Sequence, residues 1–170
     1  FFFFFKYDQA ISYFRKAYIF AIKGYGKNHS ECVKINNYEG DVFLAKQEFR
    51  YALIAYNQTL DDLLPLFSPK NPDDIPTKSE LTTTSLWIIN ALLGKAKVYE
   101  QIFFHHKNSD ALIRSFECSE LALYYENNIK LRYGDDDSKF RMSDVYNASC
   151  EAALHSAFLL YNQSRSSIYA

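Results

Sequence analysis

Residues 33–65, VKINNYEGDVFLAKQEFRYALIAYNQTLDDLLP, predict two helices joined by a short turn. Small and aromatic residues recur along this stretch at helical spacing, three apart in the first half and four apart in the second. Small residues let two antiparallel helices approach closely, and the aromatic side chains fill the space beside them. Pro65 closes the unit because proline cannot continue a helix. The residues expected to pack between the two helices are Gly40, Phe43, Ala52 and Tyr56.

Counted from Val33, these four residues occupy positions 8, 11, 20 and 24, and the stretch resembles a tetratricopeptide repeat. Pro65 falls at position 33, one residue later than the usual closing proline of that repeat. The resemblance implies an all-α fold in which antiparallel helix pairs form an array, an α-solenoid. It also implies a scaffold rather than a catalyst.

A partial copy of the same pattern precedes this unit. Residues 7–22 predict an amphipathic helix on which Ala10, Phe14 and Ala17 repeat the spacing of the second helix. The first helix of that copy would lie upstream of Phe1. We therefore expect residues 1–65 to hold two repeat units, the first of them truncated.

The repeat is longer than usual, because Ala10 and Ala52 are 42 residues apart and the common period is about 34. The extra length lies in residues 26–31, GKNHSE. This segment resembles the connection in the long repeats of kinesin light chains and many bacterial tetratricopeptide proteins. Ser30 stands where that connection has proline, and serine is a suitable N-cap for the helix that follows.

The second half of the chain begins with a proline-rich linker, which we place at residues 66–78. All four prolines lie between residues 65 and 76. The segment predicts either a binding loop or a rigid spacer. Thr77 and Glu80 fit a capping box, so residues 79–170 are expected to form a further helical hairpin and a C-terminal helix.

The order of motifs in this half resembles the helical region that precedes the caspase-like domain of bacterial tetratricopeptide–CHAT proteins. The catalytic histidine and cysteine of that family belong to the downstream domain, and no segment here matches it. No catalytic residue is therefore carried over. The motifs are KSEL at 78–81, ALLGKAKVY at 91–99, NNIKLRY at 127–133, DSKF at 137–140 and VYNASCEAAL at 145–154.

Composition excludes several classes of function. The 170-residue chain has a net charge of −1, so bulk charge attracts it neither to nucleic acid nor to acidic lipid. No apolar run approaches the roughly 20 residues needed to cross a bilayer, so we predict no membrane partner. Three scattered cysteines fit a reducing compartment better than a disulfide framework, which predicts a cytoplasmic location.

No candidate for catalysis or metal binding has a complete set of partners in the sequence. His105 and His106 are adjacent, and no third ligand stands at a recognisable spacing. Cys150 and His155 are five residues apart, about 140° around a helix, which is unsuitable for a nucleophile and its base. We expect no metal, no cofactor and no enzymatic activity.

The favoured hypothesis is a protein–protein interaction module whose groove is lined by first helices. Lys34, Asn37 and Asp41 are expected to face that groove, where a peptide or a neighbouring domain of the same polypeptide would bind. The alternative is the regulatory part of a larger bacterial CHAT-domain cysteine protease, with its catalytic domain elsewhere in the polypeptide.

Overall fold

The computed structural model describes residues 2–80, 85–132 and 136–164. The described residues form six α-helices and one short 3₁₀ turn, Lys78–Glu80, and contain no β-strand. The predicted all-α class is therefore confirmed, with adjacent helices packed against each other. The helices are α1 (Phe2–Tyr25), α2 (Ser30–Ala45), α3 (Phe49–Leu63), α4 (Leu86–His106), α5 (Ser109–Arg132) and α6 (Asp136–Ser164).

Two compact units divide the chain, and the boundary falls inside α4. The first unit spans Phe1–Gly94 and the second spans Lys95–Ala170. Within the described residues, no helix is both long enough and apolar enough to cross a membrane.

In the first unit, α2 packs on α1 and on α3. The α2–α3 contact is closely packed, because Val33, Ala52 and Leu60 are completely buried. On α1, Ile11 and Ala21 are buried, Phe14 and Tyr18 between them are half-buried, and the other side chains between them are exposed. The result is a helix with one buried stripe and a broad open side.

Left-handed residues follow α1 and α2 in this unit. Gly26, with φ of +88°, follows α1, and its amide donates to the Ile22 carbonyl at 3.0 Å. Gln47, with φ of +62°, forms the three-residue turn between α2 and α3. So short a connection makes the two helices antiparallel neighbours.

Two glycines at the end of α1 should respond oppositely to the same substitution. A Cβ at Gly24 or at Gly26 would meet no atom within 4 Å, so steric clashes do not affect the stability of either alanine variant. Gly24 is helical, and Gly24→Ala should raise the free energy of unfolding by up to about 1 kcal/mol. Gly26→Ala should lower it by about 1–2 kcal/mol, because alanine is strained in the left-handed region. Denaturant titration of the two variants measures both effects, and a shift of the same sign for both would contradict this account.

The proline-rich segment is held against α3 by hydrogen bonds. Asn57 Nδ2 donates to the carbonyls of Asn71 and Pro72, at 3.1 and 3.0 Å. Asp74 Oδ2 accepts from the backbone amides of Lys70 and Asn71, at 2.6 and 2.9 Å. The segment therefore has a defined conformation within the first unit.

The helix expected to begin near residue 79 begins instead at Leu86. The predicted capping contact does form, since the Thr77 amide donates to Glu80 Oε2 at 2.6 Å. It lies at the start of the short 3₁₀ turn. Ser85 caps α4, because its Oγ accepts from the Trp87 amide at 3.3 Å.

In the second unit, α5 packs on α6. One face of α5 is buried, with Cys118 and Ala122 at zero exposure. Lys95 and Glu126 are charged residues that are also fully buried in this unit. On α6, Ser149, Ser156 and Leu160 lie on the buried side.

Candidate functional site

The strongest candidate surface lies on α2. Lys34, Tyr38 and Asp41 are spaced four and three residues apart, so they share one side of the helix. Phe14 of α1 and Trp87 of α4 flank them. We call these five residues the α2 face. All of them belong to the first unit.

Three aromatic rings form a row across the α2 face. The Tyr38 ring lies 6.2 Å from the Phe14 ring and 6.2 Å from the Trp87 ring, measured between centroids. The pair with Trp87 is edge-to-face, an arrangement that aromatic quadrupoles favour. Tyr38 is 41% exposed, whereas Phe14 and Trp87 are half-buried. The outer rings therefore hold Tyr38 in place while leaving its surface open.

Charged side chains lie on α2 one turn before and one turn after Tyr38, on either side of the row. Lys34 Nζ lies 6.0 Å from the centre of the Tyr38 ring, at the outer limit of a cation–π contact. Asp41 is exposed and accepts a 2.7 Å hydrogen bond from the Tyr56 hydroxyl. Burial, together with Asp41, raises the pKa of Tyr56, so its hydroxyl remains a donor.

The sequence predicted that Asn37 would face a partner groove together with Lys34 and Asp41, but Asn37 does not lie on the α2 face. Its side chain is 3% exposed, and Nδ2 donates to the Val33 carbonyl at 3.2 Å and to Thr59 Oγ1 at 3.1 Å. Asn37 lies one helical turn after the buried Val33, so the same side of α2 carries both against α3. Tyr38, the next residue, is the one that reaches the surface.

The residues predicted to pack between helices fall into two groups. Gly40, Phe43, Ala52 and Tyr56 are buried between α2 and its neighbours. On α1, by contrast, Ala10 and Phe14 are half-buried and Ala17 is exposed. Ala17 lies outside the helix contact because α1 directs Ile11 and Ala21 inward. Pro65 is exposed just beyond the end of α3.

A buried carboxylate joins α3 to α2 and to the loop before it. Asp62 has a completely buried side chain, and its Oδ1 lies 3.0 Å from Lys27 Nζ. Gln58 Nε2 donates to the same oxygen at 2.8 Å, and Asn36 Nδ2 donates to Oδ2 at 3.1 Å. Burial raises the pKa of Asp62, and the Asp62 carboxylate in turn raises the pKa of Lys27. All of these Asp62 contacts lie within the first unit, which indicates that Asp62 stabilises the fold of that unit.

The thiols of Cys32 and Cys118 have the environment of core residues. Both are completely buried. Cys32 Sγ donates to the Gly26 carbonyl at 3.3 Å, and burial raises the pKa of the Cys118 thiol to about 12. His29, the nearest histidine in sequence to Cys32, caps α2 by accepting from the Glu31 amide. A raised pKa disfavours the thiolate that a nucleophile requires.

Among the described residues, no group of three or more histidine, cysteine, aspartate or glutamate side chains could hold a metal ion. His105 and His106 have ring centroids 6.4 Å apart. In the second unit, the exposed His155 places its Nδ1 2.8 Å from Oε1 of the half-buried Glu100.

Compared with protein-family models, with curated proteins and with solved structures, the chain matches none of them.

Proposed function

We propose that this chain is a protein–protein interaction scaffold that binds a peptide segment on the α2 face. The aromatic row carries the proposal, because tyrosine and tryptophan held in place by neighbouring rings are the side chains most enriched at the energetic centres of interfaces. Tyr38 is open on its outer side, and its flanking rings limit the conformational entropy that it would lose on binding. Lys34 and Asp41 add opposite charges on either side of the row.

The charges suggest the kind of segment that fits. An extended peptide with an apolar side chain over Tyr38 would place an acidic residue towards Lys34 and a basic residue towards Asp41. A neighbouring domain of the same polypeptide could present such a segment. The regulatory portion of a larger CHAT-domain protease stays the alternative prediction, supported by the order of sequence motifs. On either account the chain itself is predicted to be non-catalytic.

Tyr38→Ala is expected to abolish most of this binding. Peptides selected from a displayed random linear library on the folded chain should lose at least about tenfold in affinity for the Tyr38→Ala variant, the effect of removing an interface anchor. The matched control is Tyr51→Ala on α3, because Tyr51 is also well exposed, at 55%, and lies outside the α2 face. Isothermal titration calorimetry with circular dichroism of each variant separates binding from folding. Selected peptides that bind both variants as tightly as the parent would refute the assignment.

A further inference from the structure

Tyr56 of α3 lies against two other helices of the first unit. Its side chain is 1% exposed. A Cβ added at Gly40 of α2 would lie 2.6 Å from Tyr56 Cε1, and one added at Gly94 of α4 would lie 2.4 Å from Tyr56 Cζ. Both glycines therefore let a helix backbone rest directly on the ring, which a side chain at either position would prevent. The Tyr56 ring thus limits how closely α4 approaches α2 at this point.

The Tyr56 ring is fixed to α2 at its outer end. Its hydroxyl donates to Asp41 Oδ1 at 2.7 Å, and Asp41 follows Gly40 on the same helix. The other end of the side chain belongs to α3, which packs closely on α2. The ring therefore keeps its place relative to α2, and α4 has to pack against the ring in that place.

Trp87 lies on the side of α4 that carries Gly94. The two residues are seven apart, which is two helical turns and about 10 Å along the helix axis. Trp87 meets Tyr38 of α2 edge-to-face, whereas Gly94 meets the Tyr56 ring. No proline interrupts α4 between the two contacts, so this part of the helix moves as one body. The contact of Gly94 with Tyr56 therefore also determines how near Trp87 comes to Tyr38.

We propose that Tyr56 is a positioning residue of the α2 face: by limiting the approach of α4, it holds Trp87 against Tyr38. Tyr56 is buried, so it acts through Trp87 and touches no ligand itself. The proposal rests on the proposed function, because the assembled aromatic row is what the peptide would bind. A row that is assembled before the peptide arrives avoids the free-energy cost of ordering it on binding.

Intrinsic fluorescence tests the proposal without any ligand, because Trp87 is the only tryptophan in the chain. Gly94→Ala adds a methyl group that drives α4 away from the Tyr56 ring. We expect the Trp87 emission maximum to move to longer wavelength, because the indole leaves Tyr38 and gains contact with water. Adding Tyr56→Leu to this variant should return the maximum towards that of the parent, since the methyl group then meets a smaller side chain.

Gly24→Ala is the matched control, because its added Cβ would meet no atom within 4 Å, and its emission should equal that of the parent. Circular dichroism establishes that each variant is folded. A Gly94→Ala variant with the emission of the parent would overturn the proposal, since other buried side chains of α4, such as Ile88, would then position Trp87. So would a shift in emission that Tyr56→Leu does not reverse.

Peptide affinity tests the link to the proposed function. The peptides selected on the parent chain should bind Gly94→Ala about two- to tenfold more weakly, which corresponds to the cost of ordering one large side chain on binding. The double variant with Tyr56→Leu should recover part of that loss. Unchanged affinity of Gly94→Ala beside a shifted emission would overturn the proposal. Selected peptides whose binding does not depend on Tyr38 would refute the proposed function alone, because the emission of Trp87 measures the role of Tyr56 independently.

Discussion

Gly94→Ala is expected to lower the free energy of unfolding by about 2 kcal/mol, although the same change in an open helix is stabilising. A Cβ at Gly94 would overlap the ring of Tyr56. The ring has little room to retreat, because a Cβ at Gly40, across the ring, would also lie only 2.6 Å from Tyr56 Cε1. Its hydroxyl is fixed by the bond to Asp41. Overpacking a rigid contact of this kind typically costs about 1–3 kcal/mol, which exceeds the gain in helix propensity.

A second substitution separates this steric effect from other causes. Tyr56→Leu is itself destabilising, but it removes the ring that an alanine at residue 94 would strike. The double variant should therefore lose at least about 1 kcal/mol less than the sum of the two single losses. Gly24→Ala is the matched control for helix propensity, since nothing lies within 4 Å of its added Cβ. Denaturant titrations measure all four variants, and strictly additive losses would show that Gly94 and Tyr56 are independent.

The sequence was sufficient to predict the α2–α3 pair, because the sizes of the side chains and their spacing along the two helices both indicate the same contact. Gly40, Ala52 and Tyr56 stand at positions where close approach needs small residues and a filling ring, and the short turn leaves few other arrangements. Gly94 could not be assigned in the same way. It lies 38 residues beyond Tyr56, across the proline-rich segment, and only the tertiary structure brings the two together.

The candidate site was only partly predictable, because one residue along a helix changes the direction of a side chain by about 100°. The pattern placed Lys34 and Asp41 on one side of α2, as their spacing of seven residues along a helix requires. It chose Asn37 where the structure exposes Tyr38. Tyrosine and tryptophan are residue types of intermediate burial, so local sequence does not distinguish a half-exposed ring at Tyr38 or Trp87 from a buried one.

Lys27→Met is expected to destabilise the first unit strongly at pH 8 and weakly near pH 4. The substitution leaves the Asp62 carboxylate buried without its cation, although Gln58 and Asn36 still donate to it. Breaking a fully buried pair costs about 3–5 kcal/mol. Because half of the Lys27 side chain is exposed, we expect the smaller loss of about 2–3 kcal/mol at pH 8.

The direction of the pH dependence follows from the pKa of Asp62. Burial already raises that pKa in the folded chain, and loss of Lys27 removes an influence that lowers it. A folded pKa above the unfolded value means that the folded chain binds the proton more tightly, so stability falls as pH rises between the two values. Below the unfolded pKa, Asp62 is protonated in both states and no buried charge remains.

Lys23→Met, which removes an exposed lysine four residues earlier in the chain, should show little loss of stability at either pH. Equal losses for Lys27→Met at pH 4 and pH 8 would mean that the buried charge of Asp62 is not what Lys27 stabilises.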